Sequence, residues 1–196
     1  ILIENFMNLD ATAIRNLELV RNMRDSSKRG TLLDVLDFTN TSMGARKLRS
    51  WIECPLLDLG KIYERQDAVA ELLDNTTLRE AVVERLKAIY DLERIVSRLE
   101  VGSANARDLV SLRTSLAVLP EVKAVLANCK SRKLQKIYNN LHVHGDVYAA
   151  LEAAIVDEPP FSVREGGMIR SGYNAELDEL HLIAKDNKSW MQNFEM

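Results

Sequence analysis

The feature that most constrains this chain is a recurrent apolar spacing of three and four residues, opened each time by a side chain able to cap a helix. Leu92, Ile95, Val96 and Leu99 stand at i, i+3, i+4 and i+7 behind Asp91, the period of one helix face. Asp91 and Glu93 fall in its first turn, where the helix dipole favours acids. Leu109, Leu112, Leu116 and Leu119 repeat the pattern behind Asn105. Pro120 then marks either a kink or the start of a further helix carrying Val122, Val125 and Leu126.

Other segments follow the same logic. Thr31 with Asp34 opens a short helix, Thr41-Ser42 opens one that Pro55 ends, and Asp58 opens one with Ile62, Val69, Leu72 and Leu73 as its stripe. Thr77-Leu78-Arg79-Glu80 has the form of a capping box leading into Val82, Leu86 and Ile89. Helices are expected around Leu134–Leu141 and Val147–Ile155, and Asn174 caps a last helix from Leu177 onward. Extended structure is expected at Phe6–Asp10, with Leu17–Val20 as its partner, and in a hairpin of Phe161–Arg164 and Met168–Arg170 about Glu165-Gly166-Gly167. Residues 21–30 read as a polar loop. The expected fold is mainly α, a multi-helix core with a little β near the N-terminus and around 161–170. Its expected divisions are a connecting segment 1–30, a helical core 31–158, and an extended turn followed by a long helix over 159–196.

Composition excludes several classes. In 196 residues no run of about 20 apolar residues occurs, so no bilayer span is expected. Ile1-Leu2-Ile3-Glu4-Asn5 lacks the basic region of a signal peptide. The first residue is not Met and the final helical stretch has no Gly or Asn C-cap, so we read the chain as a piece of something larger. A net charge of −3 lacks the basic footprint of a domain that binds DNA by itself. Cys54 and Cys129 are too few for a disulfide framework or a cysteine-rich zinc site, and fit a reducing compartment.

Catalytic patterns are missing. Gly60-Lys61 is followed by Ile62 and not by Ser or Thr, and Gly166-Gly167 has no Lys, so neither is a phosphate loop. His142-Val143-His144 lies in helix or loop, where residues two apart diverge. His181 reads as solvated. No Ser sits in a nucleophile elbow and neither Cys has a His nearby in sequence. Glu176, Asp178 and Glu179 are accounted for by a helix N-terminus. One basic cluster, Arg15, Arg21, Arg24, Lys28 and Arg29, reads as a solvated loop, the functional alternative being a phosphate or partner contact. Arg46, Lys47 and Arg49 read as a charged helix face with Trp51 as its anchor into the core.

Several blocks in a fixed order carry a resemblance. They are Met7-Asn8-Leu9-Asp10-Ala11-Thr12-Ala13-Ile14-Arg15-Asn16-Leu17-Glu18-Leu19, Thr31–Asp37, Thr39–Trp51 with Pro55-Leu56, Arg65–Val69, Tyr90–Ile95, Asn105–Leu109, Arg164–Gly167 and Gly172–Leu180. Together they resemble the core, or lever, domain of the MutS family of DNA mismatch-repair proteins, over nearly the whole chain. The resemblance implies a dimeric ATPase that clamps DNA and recognises mispairs, with ATP and Mg held in a separate domain. It implies that mismatched double-stranded DNA and a second subunit are the whole protein's partners, and a cytoplasmic or nucleoid-associated setting. This stretch has neither the mispair-reading Phe-x-Glu nor a P-loop, so it implies no catalytic, cofactor, metal or identified DNA-contacting residue here. By itself the stretch is then expected to be monomeric, to bind DNA weakly or not at all, and to stop at Trp190–Glu195, where the family's lever runs into its clamp. The motif residues Asp10, Gly44, Arg46, Asp91, Arg94, Asn105, Arg107 and Asp108 are expected to be structural: Asp91 and Asn105 as caps, Gly44 permitting close helix approach, Arg94 and Arg107 holding helices through carbonyls or carboxylates. The expected role is transmission between a nucleotide site and a DNA grip. The alternatives are the core of a MutS-like recombination protein, or a helical adaptor with no DNA role.

Overall fold

The computed structural model describes residues 5–194, with side chains described through residue 184. The expected sequence features at Ile1–Glu4, and the expected junction with a clamp at Trp190–Glu195, lie outside what is described at side-chain level. The elements are α1 (Ala11–Asn16), α2 (Leu32–Leu36), α3 (Ser42–Glu53), α4 (Leu59–Asp74), α5 (Thr76–Leu86), α6 (Leu92–Glu100), α7 (Ala106–Leu126), α8 (Arg132–Asn140), α9 (Gly145–Ala154) and α10 (Ala175–Phe194), with a 3-10 turn at Val163–Glu165. The fold is mainly α. No helix of the described residues is long and apolar enough to cross a membrane.

Most starts follow from short polar side chains. Thr31, Thr41, Asp58 and Asp91 each accept a hydrogen bond from the backbone N–H three residues on, at 3.0–3.2 Å. Asn174 does the same for Leu177 at 3.0 Å. Asn105 and Asp108 close a reciprocal capping box at the start of α7. One start differs from expectation and another is capped from a distant helix. The cap of α5 is Asn75, accepting from Leu78 N–H at 2.9 Å, so Thr77 lies inside the helix and its box with Glu80 does not form. Helix α8 is capped from elsewhere: both oxygens of Glu71, on α4, accept the N–H groups of Lys130 and Ser131 at 2.6 and 2.7 Å.

The β content is smaller than expected and pairs differently. Among the described residues it is two isolated antiparallel bridges, Phe6 with Leu56 and Ile155 with Ile169. Asp10 caps α1 at once, so residues 11–16 coil and Leu17–Val20 cannot lie back along Phe6. The Phe6 segment pairs with the turn after α3 instead, through Met7 N–H to Pro55 C=O at 2.8 Å. The expected hairpin at 161–170 is absent because Val163–Glu165 winds into a capped 3-10 turn. Met168–Arg170 therefore pairs with the end of α9, not with Phe161–Arg164.

Helix α7 is the spine. It packs against α5, α6, α8 and α9, while α4 packs against α5 and α8. Pro120 does not divide it; the helix runs from Ala106 to Leu126. The main apolar cluster joins Ala68, Val122, Leu126, Cys129 and Leu134, with Leu72, Leu78, Val82 and Tyr138 packed around it. Helix α4 does not use its four expected apolar positions as one stripe: Ala68 and Leu72 face this cluster, whereas Val69 and Leu73 are exposed. The chain exposes 14,190 Å², against roughly 9,400 Å² for a compact monomer of its mass. Helices are thus joined along one spine and leave broad apolar faces uncovered.

In the N-terminal part, Lys28 pairs with Asp37, whose carboxylate also accepts the Thr39 hydroxyl at 2.6 Å. The Lys28 contact first, and Thr39 second, hold the Asp37 carboxyl down at about 2. A depressed folded-state pKa means stability that is present above the ordinary carboxylate range and lost as pH falls towards 2. Asp37→Asn should lower the urea midpoint at pH 7 and flatten its decline between about pH 4 and pH 2. In the core, Leu116→Ala should cost about 2–5 kcal/mol because Leu116 is buried, and Leu112→Ala, half-buried one turn earlier, clearly less. Equal losses in urea unfolding would contradict this packing.

Candidate functional site

Many of the polar side chains that bridge elements are strung along α7; others join α4 to α8, where Glu71 caps α8 and Glu64 pairs with Lys136 at 2.9 Å, and α3 to α6. Ser115, with 0% of its surface exposed, donates to Ser111 C=O at 2.8 Å and accepts Tyr90 N–H at 2.9 Å. It thereby fixes the turn between α5 and α6 to the spine. Asp108, besides its cap, accepts from Arg98 of α6 at 3.0 Å, and Arg98 also donates to Ser103 C=O at 3.2 Å. Lys123 donates to Leu141 C=O at 2.8 Å, tying the end of α8 to α7.

The densest joint surrounds Arg113, which is only 7% exposed. It donates to Ile155 C=O at 2.9 Å and Asp157 Oδ1 at 2.7 Å, with Glu152 at 3.3 Å. Arg170 approaches the same two acceptors from the other side, Ile155 C=O at 2.8 Å and Asp157 Oδ1 at 2.7 Å. The Arg170 hydrogen bond, reinforced by Arg113, holds the Asp157 carboxyl below the usual range. Near it, Arg107 donates to Pro159 C=O at 3.2 Å and lies over the Phe161 ring, 5.7 Å from its centre.

The outlying joint ties α3 to α6. Arg46 binds Asp91 through two nitrogens, at 2.7 and 2.8 Å, and Glu93 at 2.6 Å. Its hydrogen bonds, first to Asp91 and then to Glu93, push the guanidinium up further, and Arg46 in turn holds Asp91 below its ordinary value. Asp91 does two jobs at once, since the same carboxylate caps α6.

The structure places the eight motif residues as follows. Asp91, Asn105, Asp108 and Asp10 sit at helix starts, Asp10 accepting Ala13 N–H at 2.6 Å. Arg46 and Arg107 reach across to other elements. Arg94 makes no side-chain hydrogen bond among the described residues, and only its N–H takes part in the cap. Gly44 does not sit between two helices. A Cβ there would meet Thr41 Oγ1 at 3.0 Å and Thr39 Cβ at 3.5 Å, so the close approach is to its own helix's cap. Trp51 is not an anchor in the core either: it is part exposed, with the Arg65 guanidinium of α4 stacked 3.8 Å from its ring centre. Of the basic cluster, Lys28 is paired with Asp37. Arg113, Arg170 and Ser115 are the joint residues that sequence reasoning missed. Arg113 and Ser115 occupy positions inside an apolar helix, and that polarity against the stripe is the signal that could have found them.

Among the described residues no group of three or more His, Cys, Asp or Glu is arranged to hold a metal, and the His142 and His144 rings stand 6.2 Å apart at 55°. What this arrangement does chemically is hold backbone segments at fixed positions on one helix.

The joints differ in weight. Ser115→Ala would take the acceptor from the Tyr90 N–H at a part-buried contact and should cost about 1 kcal/mol or somewhat more. Arg46→Gln breaks an exposed, solvent-screened pair and should cost less than Ser115→Ala. Chemical denaturation of the two variants tests this order, and a larger loss from Arg46→Gln would reverse the ranking of the joints.

Comparison with known proteins places this joint-bearing helical array. Residues 12–194 match the family described as MutS domain III. The chain is 46% identical over 190 residues to the DNA mismatch repair protein MutS of Desulforamulus reducens, covering 97% of this chain and 22% of that protein. It is 48% identical over 193 residues to the MutS of an Exiguobacterium species, covering 98% and 23%, and 45% identical over 193 residues to that of Acetivibrio thermocellus, covering 98% and 22%. The chain thus spans somewhat over a fifth of the length of these relatives. With the match running over almost all of its length, the chain belongs to the MutS domain III family, the core and lever region of bacterial MutS mismatch-repair proteins.

Proposed function

We propose that this chain is the transmitting core of a DNA mismatch-repair ATPase, coupling the state of a nucleotide site to the grip of other domains on DNA. The observation that carries the reading is the arrangement of joints on α7. One helix of 21 residues holds the turn before α6, the end of α8, the end of α9 and the segment leading to α10 through side-chain hydrogen bonds to their backbones. Packed helices with specific polar joints move as units between discrete arrangements and do not deform continuously. That is the property a transmitter requires.

In this reading, by the family resemblance, ATP and Mg, the mispaired duplex and a second subunit are partners of the whole protein; the relatives' name, DNA mismatch repair protein, supports the repair setting. The stretch itself is a weak DNA binder or none, in keeping with its net charge of −3. Residues 1–30 connect into the core, 31–158 form it, and 159–196 lead into the lever. Asp10, Gly44, Arg46, Asp91, Arg94, Asn105, Arg107 and Asp108 serve to shape these parts and touch no reacting group.

The test is on the full-length protein: affinity for a duplex with one mispair against the matched duplex, at one stated salt concentration, with and without ATP. A preference for the mispair that ATP releases is the expected result. Equal affinity for both duplexes would point instead to a relative that handles recombination intermediates, and absence of duplex binding to an adaptor. In the transmitting reading Ser115→Ala should weaken the ATP response at temperatures where the protein remains folded.

A further inference from the structure

The base of α10 is attached to the core in an unusual way. Helix α10 makes no extensive packing contact with another helix among the described residues. The segment before it is held by two backbone hydrogen bonds, Val156 N–H to Met168 C=O at 3.1 Å and Arg170 N–H to Ala154 C=O at 2.8 Å. It is also held by the two arginines that share Ile155 C=O and Asp157 Oδ1. Arg113 comes from the spine and is buried; Arg170 comes from the segment leading to α10 and is part exposed. On either side of this grip the backbone turns through glycines in the left-handed region, Gly166 and Gly167 before it and Gly172, at φ +87°, after it. Gly172 N–H donates to Asp178 Oδ2 at 2.7 Å, so the turn is already fastened to the first turn of α10.

We propose that the Arg113–Asp157–Arg170 cluster is a latch that sets the direction in which α10 leaves the spine, with Gly172 as its pivot. Arg113 fixes the Ile155–Asp157 segment to α7, and Arg170 fixes the base of α10 to that segment. Two cations on one carboxylate and one carbonyl define a position in a way that a single ion pair does not, because each fork restricts the plane of the acceptors. Arg170 lies at the base of the segment and Gly172 two residues further on, so freeing the guanidinium leaves only the two backbone hydrogen bonds holding that base and loosens the helix without opening the core. Arg113 continues to satisfy both acceptors when Arg170 lets go. Arg170 is therefore a positioning residue. The inference deepens the transmitting reading and rests on it only for its consequence, since the latch itself is a matter of geometry.

The experiment measures the distance between spin labels at Ala117→Cys on α7 and Glu179→Cys on α10, both exposed positions, in full-length protein diluted with unlabelled protein. The background replaces Cys54 and every exposed cysteine of the other domains with Ser; Cys129 is buried and burial pushes its thiol up, which protects it from the label. The expected result is one narrow distance peak in the parent. Arg170→Met should lose that peak to a broad distribution with the unfolding midpoint unchanged. Gly172→Ala should shift the peak, because a Cβ is strained at that φ. Arg170→Ala is the second route to the same broadening should Arg170→Met fold poorly, since it too removes the guanidinium and leaves Asp157 to Arg113. A narrow peak at the parental distance in Arg170→Met, or in Arg170→Ala, overturns the latch, and an unshifted peak in Gly172→Ala overturns the pivot. A broadened peak with intact ATP-driven release of duplex supports the latch while removing the transmitting reading, so the two fail separately.

Discussion

A guanidinium buried against the spine organises much of this structure. Arg113 sits inside a helix whose neighbours are apolar, where an unpaired charge would be costly. Its donors are met by a backbone carbonyl and by carboxylates from α9 and the segment after it. That requirement places the end of α9 against α7, and the placement in turn offers Arg170 the remaining faces of the same acceptors. The path of the chain from α9 into α10 thus follows the hydrogen-bonding needs of this side chain together with the backbone pairing of Ala154–Val156 with Met168–Arg170. Ser115, two residues on, makes the corresponding demand on the other side and fixes the turn before α6.

Hydrophobic burial explains the cluster around Leu126 and Leu134 but not the arrangement of the remaining parts. The chain leaves large apolar residues such as Phe38, at 87% exposure, and Val35 uncovered, and its surface exceeds that of a compact protein of equal mass. Helices that share little apolar contact need directional ties to keep one geometry. The Arg46 pair between α3 and α6 and the Glu71 cap on α8 are ties of that kind. Each contributes modestly to stability because most are partly exposed. Their effect lies in orientation, which is what a mechanical role between distant sites draws on.

Capping positions make most of the helices legible in the residue order. Thr31, Thr41, Asp58, Asp91, Asn105 and Asn174 are local devices, satisfied within three residues, so sequence contains the whole interaction. The start of α5 is harder to read because two capping residues, Asn75 and Thr77, stand close together and the earlier one takes the helix. The short α1 leaves no periodic signal because six residues are too few to show one. The misplaced β pairs have a related origin: short extended segments have several possible partners, and which one is taken depends on what the intervening residues do.

Sequence alone determined the mainly helical class, most helix starts, and the resemblance that family comparison then established. Those properties rest on local hydrogen bonds and on residue order. Tertiary structure decided the rest: that Gly44 accommodates its own cap, that Trp51 lies under Arg65 and not in the core, that Glu71 caps a helix some sixty positions away, and that Arg113 and Arg170 meet at Asp157. These contacts join residues far apart in the chain, and no local periodicity encodes them. They form only when α7 has brought its neighbours within hydrogen-bond reach.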